Sequence, residues 1–125
     1  MAFDWEDLLQ AVGGWSVAGG KLKSKIGWED KYATLKGTPG NGTNDYGFSA
    51  LPGGFIDGNI YSSSIGAYAT WWSATEHIGH SMGQTGLITW QTANSLNIIA
   101  SDETASLITA NSIEDGRSVR CVEGN

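Results

Sequence analysis

The chain has little cysteine and, over most of its length, no positive charge. Its one cysteine, Cys121, excludes an intrachain disulfide and a thiol pair of the CxxC type. No Lys or Arg occurs between Lys36 and Arg117, and the net charge is -6, which disfavours nucleic acid as a partner because a phosphate backbone is itself negative. No apolar run is long enough for a transmembrane helix, and the opening MAFDWEDLL is too acidic for a secretory signal, so we expect no membrane insertion.

Glycine and tryptophan, in contrast, are abundant. The chain has 18 Gly and 6 Trp against 2 Pro. Glycine permits tight turns and tryptophan supplies large apolar surfaces, so this composition predicts many turns around a few aromatic anchors. The length of 125 residues fits one domain over residues 1–125 with a single core.

The first residues show the clearest helical pattern. Asp4 can cap a helix that Gly13 and Gly14 end. Its apolar positions recur at the spacing of one helix face: Trp5, Leu8, Leu9 and Val12. A second helix is predicted over residues 28–35, where apolar side chains again recur at helical spacing.

The remainder of the chain has the pattern of strands and turns. Short apolar and β-branched segments are bounded by Gly, Ser, Asn or Asp, at residues 48–51, 68–75, 86–90, 96–100, 107–109 and 118–122. Residues 37–43, GTPGNGT, predict a surface loop in which Asn41 begins a glycosylation sequon. A helix followed by antiparallel strands predicts an α+β fold.

Strand alternation assigns faces within two of these segments. Adjacent residues of a strand point to opposite faces, so one of Trp71 and Trp72 is expected in the core and the other on the outer face or under a loop. Arg120 lies in the last predicted strand and needs a carboxylate partner, for which we expect Glu76.

Several blocks of the sequence together carry a family resemblance. DLLQAVGG is followed by SVAGGKLKS, GFSALPGG at 47–54, WWSATE at 71–76 and SVRCV at 118–122. In order and spacing they resemble the Fibrobacter succinogenes major paralogous domain family over nearly the whole chain. The resemblance implies a C-type lectin-like fold, with an N-terminal helix packed on a twisted antiparallel sheet with long loops. WWSATE and SVRCV would be neighbouring central strands.

The resemblance also implies a function. The same fold includes the variable proteins of diversity-generating retroelements, which display binding residues between the tryptophan strand and the last strand. In that region this chain departs from the family pattern, since it has no basic residue before Arg117, and Arg117 stands where the family commonly has an aromatic. Matching blocks around a poorly matching segment are what a variable display surface on a fixed scaffold would give. The implied role is a surface receptor, extracellular or displayed on a cell or virion.

His77 and His80, the two histidines of the chain, raise the question of a metal site. Zinc needs at least a third ligand and a geometry that brings both rings to one ion. Gly79 argues against a helix here, and in a strand residues three apart face opposite sides. We therefore expect exposed loop histidines and no metal ligation by this pair.

Calcium and catalysis are the other chemical possibilities. A structural calcium site can be assembled from Asp102 and Glu103 with one of three asparagines, Asn94, Asn97 or Asn111, and the alternative is a solvated acidic loop. No other cofactor is indicated. The enzymes of the resembled fold rely on reactive thiols, which the single Cys121 cannot supply, and GGKLKS lacks the order and preceding strand of a phosphate-binding loop. We expect no enzymatic activity.

The sequence therefore predicts a non-catalytic ligand-binding module whose partner is a protein or a surface polymer. Aromatic anchors beside amides and hydroxyls make good contact surfaces, although Trp90 fits a core position equally well. The predicted contact residues are His77, Ile78, His80, Ser81, Gln84, Trp90, Gln91, Thr92, Asn94 and Asn97. The alternative is a structural or adhesive surface module without a dedicated site.

Overall fold

Two helices precede seven strands in the part of the chain that the structure describes. The structure is a computed structural model and describes residues 3–32, 35–56, 62–109 and 116–120. The helices are α1 (Phe3–Ala11) and α2 (Trp15–Leu22). The strands are β1 (Asp30–Tyr32), β2 (Leu35–Pro39), β3 (Phe55–Ile56), β4 (Ser62–Ser63), β5 (Tyr68–Gly83), β6 (Gly86–Ile99) and β7 (Ala105–Thr109).

The strands form antiparallel sheets, which confirms the α+β class. Strands β1 and β2 pair with each other, as do β3 and β4, and the largest sheet has the order β5-β6-β7. Consecutive strands are neighbours throughout, so the described sheets need no crossover connection.

Helix α1 forms where its apolar spacing predicts. Trp5, Leu9 and Val12 are buried and Leu8 packs against the same cluster. The helix ends at two glycines with positive φ, the second of which donates its N–H to the carbonyl of Leu9 at 2.8 Å. The cap prediction at Asp4 is wrong, because α1 already includes Phe3 and Asp4 therefore lies within the helix.

The second predicted helix is a β-hairpin instead. Residues 28–35 contain β1 and the start of β2, with Tyr32 opposite Leu35 in the antiparallel register. The carboxylate of Asp30 accepts the N–H of Gly37 at 3.2 Å, and Gly37 has φ of 86°, so this segment favours the hairpin over a helix. Trp28, just before the hairpin, is buried and donates its indole N–H to the carbonyl of Ala50 at 2.9 Å.

Helix α2 was not predicted, because its sequence WSVAGGKL has two adjacent glycines that weaken a helical pattern. Its buried residues are small or apolar: Ala18, Gly19 and Leu22. The N–H of Gly20 donates to the carbonyl of Glu103 at 3.0 Å, so the helix lies directly against the chain that enters β7. Close packing against this backbone explains why small residues occur here.

The core lies between the helices and one face of the three-stranded sheet. In the register Trp71 stands opposite Leu96, and Ala69 stands opposite Ile98, so these buried residues share a face. The rings of Trp5 and Trp71 lie 6.3 Å apart, and α1 also donates the indole N–H of Trp5 to the carbonyl of Trp72 at 3.1 Å. Helix α1 is thereby attached to β5 near the start of that strand.

The opposite face of the same sheet is polar and is covered by Arg117. Trp72 points to this face, away from Trp71, which confirms the prediction that the two rings separate. The guanidinium carbon of Arg117 lies 5.1 Å from the ring of Trp72 and 5.7 Å from that of Phe55, and Nη1 donates to Thr70 Oγ1 at 3.0 Å. The Arg117 guanidinium therefore contacts three side chains from two strands, Phe55 of β3 and Thr70 and Trp72 of β5.

Of the predicted strand at 118–122 the structure describes residues 118–120, in which Ser118 forms an isolated bridge. Ser118 lies parallel to Trp71, and it exchanges backbone hydrogen bonds with Thr70 and Trp72 at 3.0 and 3.1 Å. Arg120 donates to the carbonyl of Phe48 at 2.8 Å and its guanidinium carbon lies 4.0 Å from the Phe48 ring centroid. These two contacts both involve Phe48, and the expected pairing of Arg120 with Glu76 stays a prediction. The side chain of Glu76 and residues 121–125 lie outside the described residues.

Two other predicted segments differ from the structure. Residues 48–51 form no strand, and Ala50 makes only an isolated bridge to Lys23. The predicted loop at 37–43 begins inside β2, and its second half packs inward, because the Asn41 side chain accepts the N–H of Trp28 at 2.9 Å. The sequon asparagine therefore has a structural contact through its amide oxygen.

Candidate functional site

Strands β5 and β6 pair over a long ribbon beyond the part of β6 that is described beside β7. Among the described residues β7 pairs with β6 over Asn94 to Ile98, and β5 and β6 stay in register from Glu76 opposite Ala93 to Gly83 opposite Gly86. We call residues 76–93 the ribbon and the other described residues the scaffold. Each ribbon strand has eight residues, so the ribbon is about 27 Å long at about 3.4 Å per residue.

Local sequence features set both ends of the ribbon. The register of β5 and β6 shifts between Trp72 and Glu76, and such a bulge increases the local twist and marks the base. At the tip, Gln84 and Thr85 form a two-residue turn between Gly83 and Gly86, and Gly86 has φ of 132°, which other residues rarely adopt. The predicted strands 86–90 and 96–100 are therefore parts of one continuous strand.

Eight of the ten predicted contact residues belong to the ribbon. They are His77, Ile78, His80, Ser81, Gln84, Trp90, Gln91 and Thr92. The prediction of loop positions for His77 and His80 is wrong, because both lie in paired strand β5, whereas Trp90 lies within a segment, 86–90, that was predicted as a strand. Gln84 is exposed at the tip, and the side chains of the other seven lie outside the described ones.

The two histidines lie in β5, not in a loop. His77 stands opposite Thr92 and His80 stands opposite Thr89 in an uninterrupted antiparallel register. Trp90 stands opposite Gly79 in the same register. The alternative for Trp90, core or contact surface, stays open because its side chain is outside the described ones.

Asn97 serves the scaffold. It is 4% exposed, and its amide oxygen accepts the hydroxyl of Tyr68 at 2.6 Å. Its amide nitrogen donates to the carbonyl and hydroxyl oxygens of Ser95, each at 3.2 Å. These bonds lie on the polar face that Arg117 covers, at the base of the ribbon. Asn94, the other predicted contact residue outside the ribbon, is half-buried in β6 and stands opposite Thr109 of β7.

Tyr68 links this network to Arg117. Burial raises the pKa of the Tyr68 phenol above its ordinary value of 10.0, although the nearby guanidinium of Arg117, which hydrogen-bonds the phenol oxygen, acts in the opposite direction. The phenol therefore stays protonated and keeps donating to Asn97 at neutral pH. The base of the ribbon is thus fixed by neutral and charge-assisted hydrogen bonds.

Tyr68→Phe is expected to lower the free energy of unfolding by about 1–2 kcal/mol, because it leaves the buried Asn97 oxygen without its hydroxyl donor. The change also has a pH signature. A raised folded-state pKa gives stability that is present below the unfolded value of 10.0 and lost as pH rises through the folded pKa. Urea unfolding between about pH 8 and about pH 11 should therefore show a smaller difference between variant and wild type at the alkaline end. A difference that is constant with pH would contradict this role.

The region of the predicted calcium site is occupied by a lysine. Lys23 is 1% exposed, and its Nζ donates to the carbonyls of Ile99 at 3.1 Å and Asp102 at 3.0 Å. The same ammonium lies 5.3 Å from the centroid of the Trp28 ring. Burial lowers the pKa of Lys23, and the positive charge of Lys31 lowers it further. The carboxylates of Asp102 and Glu103 act in the opposite direction. Two carbonyls that could bind a cation thus already hold one.

The acidic side chains of that region also have partners. The Asp102 carboxylate accepts the hydroxyl and the N–H of Thr104, and these bonds hold its pKa below the ordinary value of 3.8. Glu103 forms an exposed ion pair with Lys31 at 3.8 Å. Asn111 lies outside the described residues. Within the described ranges no three His, Cys, Asp or Glu side chains group as a metal site would require.

A separate groove lies on the scaffold and was missed by sequence reasoning. It has a volume of about 630 Å³ and runs between α1, the start of α2 and β7, lined by Glu6, Leu9, Gln10, Gly14, Trp15, Ala105, Ser106 and Leu107. Trp15 is an exposed wall of this groove. The signal in the sequence was a tryptophan directly after Gly13 and Gly14, off the apolar face of α1. None of the predicted contact residues whose side chains are described, Gln84, Asn94 and Asn97, lines the groove.

Neither helix in the described part of the chain has the length and apolar character that crossing a membrane requires. No protein-family model, curated protein or solved structure matches the chain.

Proposed function

We propose that this chain is a non-catalytic ligand-binding module that presents a variable contact surface on the ribbon. Its partner is a protein or a surface polymer. In the more specific form of the proposal, the chain is the variable protein of a diversity-generating retroelement, has a C-type lectin-like fold and acts as a receptor at a cell or virion surface.

The separation of ribbon and scaffold is the observation that carries the proposal. Among the described side chains, the buried cluster consists of scaffold residues, with Ala93 as a buried hydrophobic residue at the end of the ribbon. The contacts of Lys23 with Ile99 and Asp102 and of Trp71 with Trp5 lie within the scaffold as well. In the proposal, residues of the ribbon change without loss of the core, which is what a variable surface requires.

Features of the scaffold support the proposed fold. The N-terminal helix packs on an antiparallel sheet, and Ser118 of the SVRCV block lies beside Trp71 of the WWSATE block. These positions agree with the central strands that the resemblance implies. The SVAGGKLKS block supplies α2 and the buried Lys23. The matching blocks thus coincide with the parts that hold the fold together.

The shape of the ribbon supports a macromolecular partner. A two-stranded ribbon exposes edges and faces, whereas a small metabolite needs a concave pocket with a few convergent polar groups. The turn residues Gln84 and Thr85 and the flanking Met82 and Leu87 are exposed together at the tip. An exposed tip with both apolar and polar side chains suits a contact with another surface.

Substituting the ribbon should remove binding without unfolding the protein. The variant combines His77→Ala, His80→Ala, Gln84→Ala and Gln91→Ala. The matched control combines Glu6→Ala and Gln10→Ala, which are exposed on α1 and away from the ribbon. Against purified surface proteins and polysaccharides, the ribbon variant is expected to lose at least about 100-fold in affinity for whichever binds the wild type. Both variants should unfold near the wild-type temperature.

Two results would contradict the proposal. The first is binding that survives in the ribbon variant and is lost in the α1 control. The second is a panel in which nothing binds the wild type, which is the result expected of a structural or adhesive module. The retroelement form has its own test in the neighbouring DNA. It requires a near-copy of the 3′ coding segment that differs at adenines, beside a reverse transcriptase gene.

A further inference from the structure

The lysines of the chain are concentrated in one short stretch of sequence. All five lie within residues 21–36, whereas the chain as a whole has a net charge of -6. In the structure Lys21, Lys23 and Lys31 line one pocket, which has a volume of about 320 Å³. A local concentration of positive charge attracts anions even where the protein is acidic overall. This pocket is therefore a place where an anion can bind.

Backbone contacts fix the walls of the pocket. After β2, Gly42 and Thr43 donate their N–H groups to the carbonyls of Ser24 and Gly20, each at 2.9 Å. This segment also lies in close contact with the end of α2, because a Cβ on Gly42 would lie 2.7 Å from the carbonyl oxygen of Lys23. A pocket with walls of this kind needs little ordering when a ligand binds.

Two ammonium groups of the pocket lie close enough to repel each other. Lys23 is 1% exposed, and burial is the largest cause that lowers its pKa, followed by the positive charge of Lys31. The Lys31 side chain is 30% exposed, and its Nζ lies 3.8 Å from the carboxylate of Glu103, which is longer than a hydrogen bond. Additional negative charge in the pocket would therefore favour both ammonium groups.

The acidic residues of the pocket leave room for such a charge. Asp45 and Glu103 line it against three lysines, so one positive charge is in excess. Asp45 is exposed, and the Glu103 side chain is 67% exposed, so its ion pair with Lys31 is screened by solvent and weak. Asn41 also lines the pocket, and its amide oxygen accepts the N–H of Trp28, so its NH₂ group is a further donor.

We infer that this pocket binds the phosphate or sulfate group of a small ligand, which contacts Lys31 in place of Glu103. Lys21 and Lys23 supply further positive charge, and lysine recognises such groups as a point charge. The volume is near the lower end of the range for small-molecule sites, which favours a small ligand over a polymer. This site goes beyond the proposed function and shares no residue with the ribbon.

Titration of the whole chain with sodium phosphate at constant ionic strength tests the inference. The amide NMR signals of Gly42 and Thr43, which line the pocket, should shift and reach half-saturation at about 1–10 mM. Lys31→Met removes a charged donor and should raise the dissociation constant at least about ten-fold. Glu103→Gln removes the competing carboxylate and should lower it about two- to five-fold.

Lys25→Met is the matched control, because Lys25 is exposed, does not line the pocket and loses the same charge. It should change the dissociation constant less than about two-fold. The inference is overturned if the wild type shows no saturation, if Lys25→Met and Lys31→Met weaken binding equally, or if Glu103→Gln does not strengthen it. Circular dichroism confirms the fold of each variant. The Glu103→Gln result decides the question even if Lys31→Met does not fold.

Other ligands identify the group that is bound. Acetate has a single charge and should bind at least about three-fold more weakly than phosphate or sulfate, and equal binding would contradict the assignment. Glucose 6-phosphate that binds more tightly than inorganic phosphate would assign an ester as the ligand, and the reverse order would assign the free ion. The alanine ribbon variant should bind phosphate like the wild type, so this site and the proposed function succeed or fail separately.

Discussion

Lys23→Met is expected to lower the free energy of unfolding by about 2–4 kcal/mol. The Nζ of Lys23 is the donor to the carbonyls of Ile99 and Asp102, and the variant leaves these acceptors without it. Methionine replaces the apolar stem, so the loss reports the ammonium and not a cavity. Desolvation disfavours the charge of Lys23 and lowers its pKa, which reduces the net gain from these bonds. Removing one partner of a buried polar contact nevertheless destabilises the fold by more than the intact contact stabilises it, because the other partner is left unpaired.

Urea unfolding at neutral pH measures this loss, and Lys25→Met is the matched control. Lys25 lies two residues further along and is exposed, so the same substitution there should change the free energy of unfolding by less than about 0.5 kcal/mol. If Lys23→Met costs no more than Lys25→Met, the carbonyl contacts do not stabilise the fold. A loss confined to Lys23 would show that the cation connects α2 to the segment between β6 and β7.

The elements that sequence analysis predicted correctly have a strong local periodicity. Trp5 and Leu9 mark one face of α1, and Val12 directly after the helix continues the same spacing. The separation of Trp71 from Trp72 follows from strand alternation alone and needs no tertiary information. In both cases the repeat in the sequence has the same period as the observed structure.

The elements that sequence analysis missed depend on contacts between distant residues. The spacing of Trp28 and Tyr32 is compatible with a helix, yet Trp28 is held by Ala50 and Asn41, far along the chain. Helix α2 packs through Gly19, and glycine has no hydrophobicity to reveal a pattern. The burial of Lys23 depends on carbonyls at Ile99 and beyond. No local pattern contains such information.

The sequence indicated where the candidate site lies along the chain, but it did not predict the geometry of that segment. The segment that begins at His77 was identified because matching blocks stop there, and it does form one structural unit, the ribbon. Strand β6 was predicted as two separate pieces, 86–90 and 96–100, and the continuation of β5 from residue 76 to Gly83 was missed. Asn97 resembles its exposed neighbours in type, and only the structure shows its bond from Tyr68, so we leave Asn97 out of the proposed contact surface.

Gly19→Ala is expected to lower the free energy of unfolding by about 2–3 kcal/mol, although alanine favours a helix over glycine by about 1 kcal/mol. A Cβ at Gly19 would lie 2.2 Å from the carbonyl oxygen of Thr104 and 2.8 Å from its carbonyl carbon. Both atoms belong to the backbone just before β7, which no rotamer change can move. Relief of the clash requires α2 to shift away from the sheet, and this weakens the packing of Leu22 and Ala105 in the core.

Gly20→Ala is the matched variant, and its expected effect differs in sign or is close to zero. A Cβ at Gly20 would lie 3.3 Å from the Cβ and Cγ of Glu103, a largely exposed side chain that can move by a few tenths of an ångström. The helical preference of alanine, about 1 kcal/mol, then offsets or exceeds the cost of that adjustment. Thermal and urea unfolding of the two variants should therefore place Gly19→Ala well below wild type and Gly20→Ala at or above it. Equal losses of unfolding free energy in the two variants would mean that α2 shifts as easily to accommodate a side chain at one glycine as at the other. The Thr104 carbonyl would then not limit how closely α2 approaches β7.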